Sequence, residues 1–152
     1  MAAALLALVA ALAGGPVSRG CSNDGAEARA AGAVAAGIID ADNARDLDRV
    51  LAFYAPDAIL MPPGEPPVVG RDAIRPRYEA LFQQFDPAIE ARVDEVCAGG
   101  AFAFVRGHNG GRLKARGAGE SRALDDVYLM LLRREADGAW RISHLMWHRA
   151  RP

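Results

Sequence analysis

The sequence predicts an α+β fold, with helices in the first half of the chain and a curved antiparallel sheet after them. Three observations predict it. Ile74, Tyr78, Leu81, Phe82 and Phe85 fall at i, i+4, i+7, i+8 and i+11, one face of a helix. From Ile89 onward the pattern changes to alternation interrupted by glycine pairs, which marks strands and hairpins. Between these regions, Ala58-Ile59-Leu60-Met61 is a short apolar run bounded by Pro56 and by Pro62-Pro63-Gly64, too brief for a helix.

Each element follows in order. Asn23 and Asp24 offer N-caps to a first helix whose apolar stripe is Val34, Ile38 and Ala41, broadened by Ala31, Ala35 and Ile39. Gly32 and Gly37 weaken that helix but permit close packing on a sheet. Asn43 caps a second, short helix with Leu47, Val50, Leu51 and Tyr54 on one face. Asp40, Asp42, Asp46, Asp48, Arg45 and Arg49 read as a solvated charged face. After the short strand, Pro62-Pro63-Gly64 ends the ladder, because proline lacks an N–H. Val68-Val69 reads as a second short strand, and Asp72 caps the third helix with Pro76 in its first turn. Asp86-Pro87 stops that helix.

Strands then run from Ile89 to Cys97, from Ala101 to Asn109, from Asp125 to Arg134 and from Trp140 to His148. Gly99-Gly100 and Asp137-Gly138 supply turns, and Arg112 to Ser121 reads as a glycine-rich loop. Val127-Tyr128-Leu129-Met130-Leu131-Leu132 is apolar on both faces, whereas a strand open to water on one side alternates. This strand therefore needs a second cover, and a symmetric partner subunit supplies one most economically. The expected order is α-α-β-β-α-β-β-β-β.

Composition bounds the function. A length of 152 residues fits one domain, and a net charge of −1 implies no nucleic acid or other polyanion partner. Arginine carries nearly all the positive charge, since Lys114 is the single lysine. Residues 1–22 read as a signal peptide or a disordered leader, and 23–150 as the domain. Ala2 to Ala13 is an apolar run of signal-peptide length, with Ala11-Leu12-Ala13 as an A-x-A cleavage pattern. Cys21 is a second processing candidate as a lipid-anchor site, although Arg19 stands where a small residue is expected. The expectation is export, periplasmic or secreted, with no transmembrane segment once the leader is removed; a mis-called start codon would make the protein cytoplasmic. Cys97 reads as a strand thiol rather than half of a bridge.

Phe53-Tyr54-Ala55-Pro56-Asp57-Ala58, Gly70-Arg71-Asp72-Ala73-Ile74 and Asp137-Gly138-Ala139-Trp140-Arg141-Ile142-Ser143-His144 together resemble the SnoaL-like branch of the nuclear transport factor 2-like superfamily. The resemblance covers about residues 25 to 150. That superfamily also holds ketosteroid isomerases and the association domain of calcium/calmodulin-dependent kinase II. It implies a conical half-barrel, a curved antiparallel sheet wrapped on three helices, usually paired into a homodimer through the outer face of the sheet. It implies a pocket for a small ligand but leaves the activity open, because the same cone hosts isomerases, cyclases, hydrolases, binders and assembly modules.

The chemistry-bearing residues are few. Counting from Tyr54, the isomerase general base falls on Pro62, which cannot take a proton. Weak catalytic candidates remain in His144, Asp126 and Asp57, the last in a turn where aspartate ordinarily bonds backbone amides. His144 and His148 would stand roughly 13 Å apart on a strand, too far to share an ion, so neither a metal site nor a cofactor is expected. Arg106 shares strand parity with Phe102 and Phe104 and is expected to point inward. It would pair there with Glu95, with Asp126 or with a ligand carboxylate. Tyr54, Arg106, Tyr128 and His144 are the expected pocket residues, with Trp147 at the mouth. Two classes of function follow: a non-catalytic module that binds a small organic ligand, a carboxylate included, or serves homo-oligomerisation, or acid–base catalysis of the isomerase, cyclase or hydrolase type. A pocket with two or more convergent titratable groups favours the second.

Overall fold

The structure, a computed structural model, describes residues 25–150. Among them the order is α1 (Ala26–Asn43), α2 (Leu47–Ala52), β1 (Tyr54–Met61), β2 (Val68–Val69), α3 (Arg71–Gln84), β3 (Phe85–Gly99), β4 (Phe102–Ala115), β5 (Arg122–Arg134) and β6 (Trp140–Arg149). The expected element order and the α+β class both hold. The leader, its cleavage pattern, Cys21 and the capping residues Asn23 and Asp24 lie outside the described residues.

The strands form one six-stranded sheet in the order β2-β1-β6-β5-β4-β3. It is curved and unclosed, and α1 and α3 pack on its inner side. One pair departs from the antiparallel expectation. β1 runs parallel to β6, with Leu60 opposite Leu145, which makes the sheet mixed. The reason is connectivity: β1 is followed by β2, α3 and three further strands before the chain returns to its side as β6.

Local chemistry sets the boundaries. Asp46, not Asn43, caps α2 by accepting from the Arg49 N–H at 3.0 Å. Asn43 instead ties the end of α1 to β3, donating to the Ile89 carbonyl and accepting from the Ile89 N–H, each at 2.8 Å. α3 begins at Gly70, whose φ of 93° favours glycine. β3 starts at once where α3 stops, and its Pro87 is tolerated because β3 is an edge strand. β4 continues past the expected loop start to Ala115. Gly111 (φ 108°) lets it pass the Ala88 carbonyl, which an added Cβ would meet at 2.2 Å.

The core lies between the helices and the inner face. Ala31, Ala35 and Ile38 of α1 share one buried cluster with Val105, Met130 and Leu132 of the sheet. A fully buried Ile38, Ile142 or Leu132 contributes about 2 kcal/mol each. Gly37 admits the Phe53 ring, whose Cζ would stand 2.6 Å from an added Cβ. At the first turn of α1, Glu27 pairs with Arg134, whose guanidinium also lies over the Trp140 ring at 4.8 Å.

β5 is apolar on both faces, as expected. Tyr128, Met130 and Leu132 point inward and are buried, while Val127, Leu129 and Leu131 face out. Leu131 is 42% exposed and Met146 of β6 is 43% exposed on that outer face. Cys97 on β3 corrects the free-thiol expectation, because it is disulfide-bonded. The other cysteine of the chain, Cys21, lies outside the described residues.

Candidate functional site

A cavity of about 240 Å³ opens between the helices and the inner face of the sheet. Ile38, Ile39 and Asp42 of α1 form one wall, with Arg77, Tyr78 and Leu81 of α3. Leu60, Ile89, Leu113, Leu124, Met130 and Leu145 supply aliphatic lining from the strands. Asn109, Asp126, Tyr128 and Trp147 give the sheet wall its polar and aromatic part. The lining is thus mostly apolar with a few polar groups, the usual make-up of a small-molecule site.

Among the described residues Asp42 is the acid moved furthest above its ordinary value. It sits on the last turn of α1, 7% exposed, and its Oδ1 has no hydrogen-bond partner. Burial pushes its carboxyl up to about 7, because a charge there loses its hydration. The C-terminal end of the helix also disfavours a negative charge. Two tyrosines lie in its field. Tyr54 and Tyr78 share a hydrogen bond of 2.8 Å between their hydroxyls. Burial raises both phenols, and the Asp42 carboxyl raises them further. Tyr54 is fully buried behind the wall and Tyr78 lines it.

On the sheet wall, Asp126 stands opposite Asn109, and Tyr128 stands opposite both Gly107 and Trp147. Burial raises the Asp126 carboxyl, with Arg149 partly opposing it. Burial pushes the Tyr128 phenol up to about 12, and its hydroxyl has no partner. The Tyr128 ring leans over Gly107 so closely that a Cβ there would meet its Oη at 2.5 Å. Asn109 Oδ1 is also buried without a partner.

Of the residues singled out from sequence, Tyr128, Trp147 and Asp126 line this cavity, and Tyr54 stands one residue behind it. Arg106, His144 and Asp57 do not. Arg106 is exposed on the outer face, bonded to Glu95 at 3.2 Å and to Asp94 at 3.4 Å. The expected inward parity of β4 is therefore corrected. Ala103, Val105, Gly107 and Asn109 face in, and Phe102, Phe104, Arg106 and His108 face out. The reason is space: α1 and the Tyr128 ring fill the inner side, so β4 carries small residues there. His144 is also on the outer face, opposite Leu131, with Nδ1 3.2 Å from Ser143 Oγ. Asp57 is exposed and bidentate with Arg133 at 2.7 and 3.2 Å, and that pairing holds its carboxyl below the usual range.

Sequence reasoning missed Asp42 and Asn109 as site residues. The signal for Asp42 was its place four residues after Ile38 and eight after Val34, inside the apolar stripe. Arg77 also reaches the cavity but is neutralised by Glu65 at 2.5 Å. Among the described residues no three His, Cys, Asp or Glu side chains group closely enough to hold a metal ion. No described helix is long and apolar enough to cross a membrane.

Comparison with known proteins agrees with this architecture. No curated protein sequence matches the chain. A ketosteroid isomerase-like protein from Erwinia carotovora atroseptica superposes with a TM-score of 0.76 at 28% identity, over 84% of this chain and 98% of that one. A candidate dehydratase of the nuclear transport factor 2-like family from Streptomyces avermitilis gives 0.71 at 15% identity, over 83% and 98%. A candidate calcium/calmodulin-dependent protein kinase type II association domain from Thiobacillus denitrificans gives 0.63 at 18% identity, over 79% and 94%. These two low-identity matches speak for the fold alone. The family model for the SnoaL-like domain matches residues 35–142. Carried by that match and by the shared fold, the chain belongs to the SnoaL-like domain family of the nuclear transport factor 2-like superfamily.

Proposed function

We propose that the cavity binds a small, uncharged, largely apolar organic molecule and that Asp42 moves a proton on it, as a general acid or base. The observation that carries this reading is the buried Asp42 carboxyl in the cavity wall, raised to about 7 and with its Oδ1 unpartnered. A group titrating near neutral pH is the most effective proton carrier there. Asp126, Tyr78 and Tyr128 line the same space, so several titratable groups converge, which favours catalysis over simple binding. Pro62 stands where the resemblance puts the isomerase base, and Asp42 approaches the cavity from the helix side instead. The isomerase-like name of the Erwinia protein supports an isomerisation, for which a proton carrier is suited. Two acidic side chains in the wall, and Arg106 outside it, disfavour a carboxylate ligand and favour a neutral one.

The test is solvent exchange. The protein is incubated in deuterated water with 2-tetralone and with 3-hydroxycyclohexanone, and deuterium at the α-carbon is followed by NMR. Exchange accelerated by the wild type should fall on the order of a hundredfold in Asp42→Asn. Equal exchange in the two proteins sinks the assignment of Asp42.

A second copy of the chain is the proposed cover for the outer face. Rows such as Phe104, Leu131, His144 and Arg106, Leu129, Met146 lie side by side there, and Leu131 and Met146 are left open to solvent. Export is also proposed. A disulfide at Cys97 suits an oxidising compartment, and a lipid-modified Cys21 could not share in one. The mass of the protein isolated from its native host decides; an intact N-terminus on cytoplasmic protein sinks export.

A further inference from the structure

The two orphaned oxygens on the sheet wall point to a feature of the ligand. Tyr128 Oη and Asn109 Oδ1 are both buried without partners. A buried polar atom left unpaired is costly, so a site that keeps two of them is built to have them met by something that enters. Both residues line the cavity. Tyr128 stands opposite Gly107, and its hydroxyl lies over that glycine. Asn109 is two residues further along the same inward face of β4, about 7 Å on. Their demands differ. The amide oxygen accepts only, and the phenol, with no acceptor of its own, has a hydrogen to give.

We infer that Asn109 and Tyr128 form an anchor for one hydroxyl group on an otherwise apolar, uncharged ligand. A hydroxyl is the smallest group that satisfies both, donating to Asn109 Oδ1 while accepting from Tyr128 Oη. A ketone or ether accepts from Tyr128 but leaves Asn109 unpaired. A carboxylate does the same and meets the Asp126 carboxyl opposite Asn109. The aliphatic lining of Leu113, Leu124 and Met130 takes the rest of the molecule. Gly107 belongs to the anchor as well, since any side chain there would displace the Tyr128 hydroxyl. This anchor deepens the reading of the cavity as a small-molecule site and rests on it; it does not rest on Asp42.

Two matched sets on rigid skeletons test it by calorimetric titration of the full chain: borneol, camphor and bornyl methyl ether, and 1-adamantanol, 2-adamantanone and 1-methoxyadamantane. In at least one set the alcohol should bind about tenfold or more tighter than its ketone and its ether. Asn109→Leu should bring the alcohol down to the ether and leave the ether unchanged, and Tyr128→Phe should weaken alcohol, ketone and ether together. Alcohol, ketone and ether binding equally overturns the anchor and leaves the cavity reading standing. Binding by none of the six overturns both. If either variant fails to fold, the wild-type ranking decides alone.

Discussion

Replacing Asp42 by asparagine should make the protein more stable at neutral and alkaline pH and leave it nearly unchanged at pH 4. The ordinary aspartate value is 3.8 and the folded protein holds Asp42 near 7. Between those values the folded chain keeps a proton that the unfolded chain has released. Stability from this group is therefore intact below about pH 4, falls as pH climbs toward 7 and is flat above it. A gap of about 3 pH units at 1.36 kcal/mol each amounts to about 4 kcal/mol. The asparagine keeps the size and one polar oxygen but cannot ionise, so the slope should vanish. Asp57, Glu65, Asp94 and Asp137, held below the ordinary range, act in the opposite sense at lower pH and cancel in the comparison. Urea denaturation of both proteins at pH 4, 5, 6, 7 and 8 measures the effect. With a slope of about 2 kcal/mol per molar urea, the midpoints should part by about 2 M at pH 8 and coincide at pH 4. Parallel curves across the whole range would refute a buried, protonated Asp42.

Leu131→Asp puts a charge on the uncovered outer face; light scattering should show a dimeric wild type and a monomeric or insoluble variant. A monomeric wild type at micromolar concentration removes the second copy as the cover. Gly107→Ala sets a Cβ 2.1 Å from the Arg92 carbonyl and 2.5 Å from Tyr128 Oη. It should cost about 1–3 kcal/mol in denaturant titration, and no loss would mean that Tyr128 is free to move aside. Arg106→Gln breaks a surface cluster with Asp94 and Glu95. It should cost no more than about 1 kcal/mol and leave ligand affinity as it was; lost affinity would put Arg106 back into the site.

The fold was legible because its signals are local and redundant. The stripe from Ile74 to Phe85, the breakers at Pro62-Pro63-Gly64 and Asp86-Pro87 and the doubly apolar β5 each name one element and agree with one another. The site was only half legible. Tyr128, Trp147 and Asp126 could be placed because their aromatic and acidic side chains stand out as polar handles on β5 and β6. Arg106 is misplaced by strand parity because the larger side chains of β4 read as core-facing. On this strand the inside is already filled by α1 and by the Tyr128 ring, so the small residues turn in. Asp42 was hidden among acidic neighbours on α1, where charge suggested solvent although spacing suggested the stripe. The Tyr54–Tyr78 bond joins β1 to α3, and such a meeting is a matter of tertiary geometry that no single segment records.

The position of β6 has a consequence for how the chain is made. The last strand in sequence is third in the sheet, bonded to β1 on one side and β5 on the other. Until residues 140–149 have left the ribosome, β1 and β2 cannot join the meander of β3, β4 and β5, and the cavity lacks Leu145 and Trp147. The sheet therefore closes only once β6 has emerged, its two parts waiting with open strand edges. The same arrangement makes the C-terminus an intolerant place for truncation: a stop before Trp140 takes out the strand on which both parts of the sheet depend.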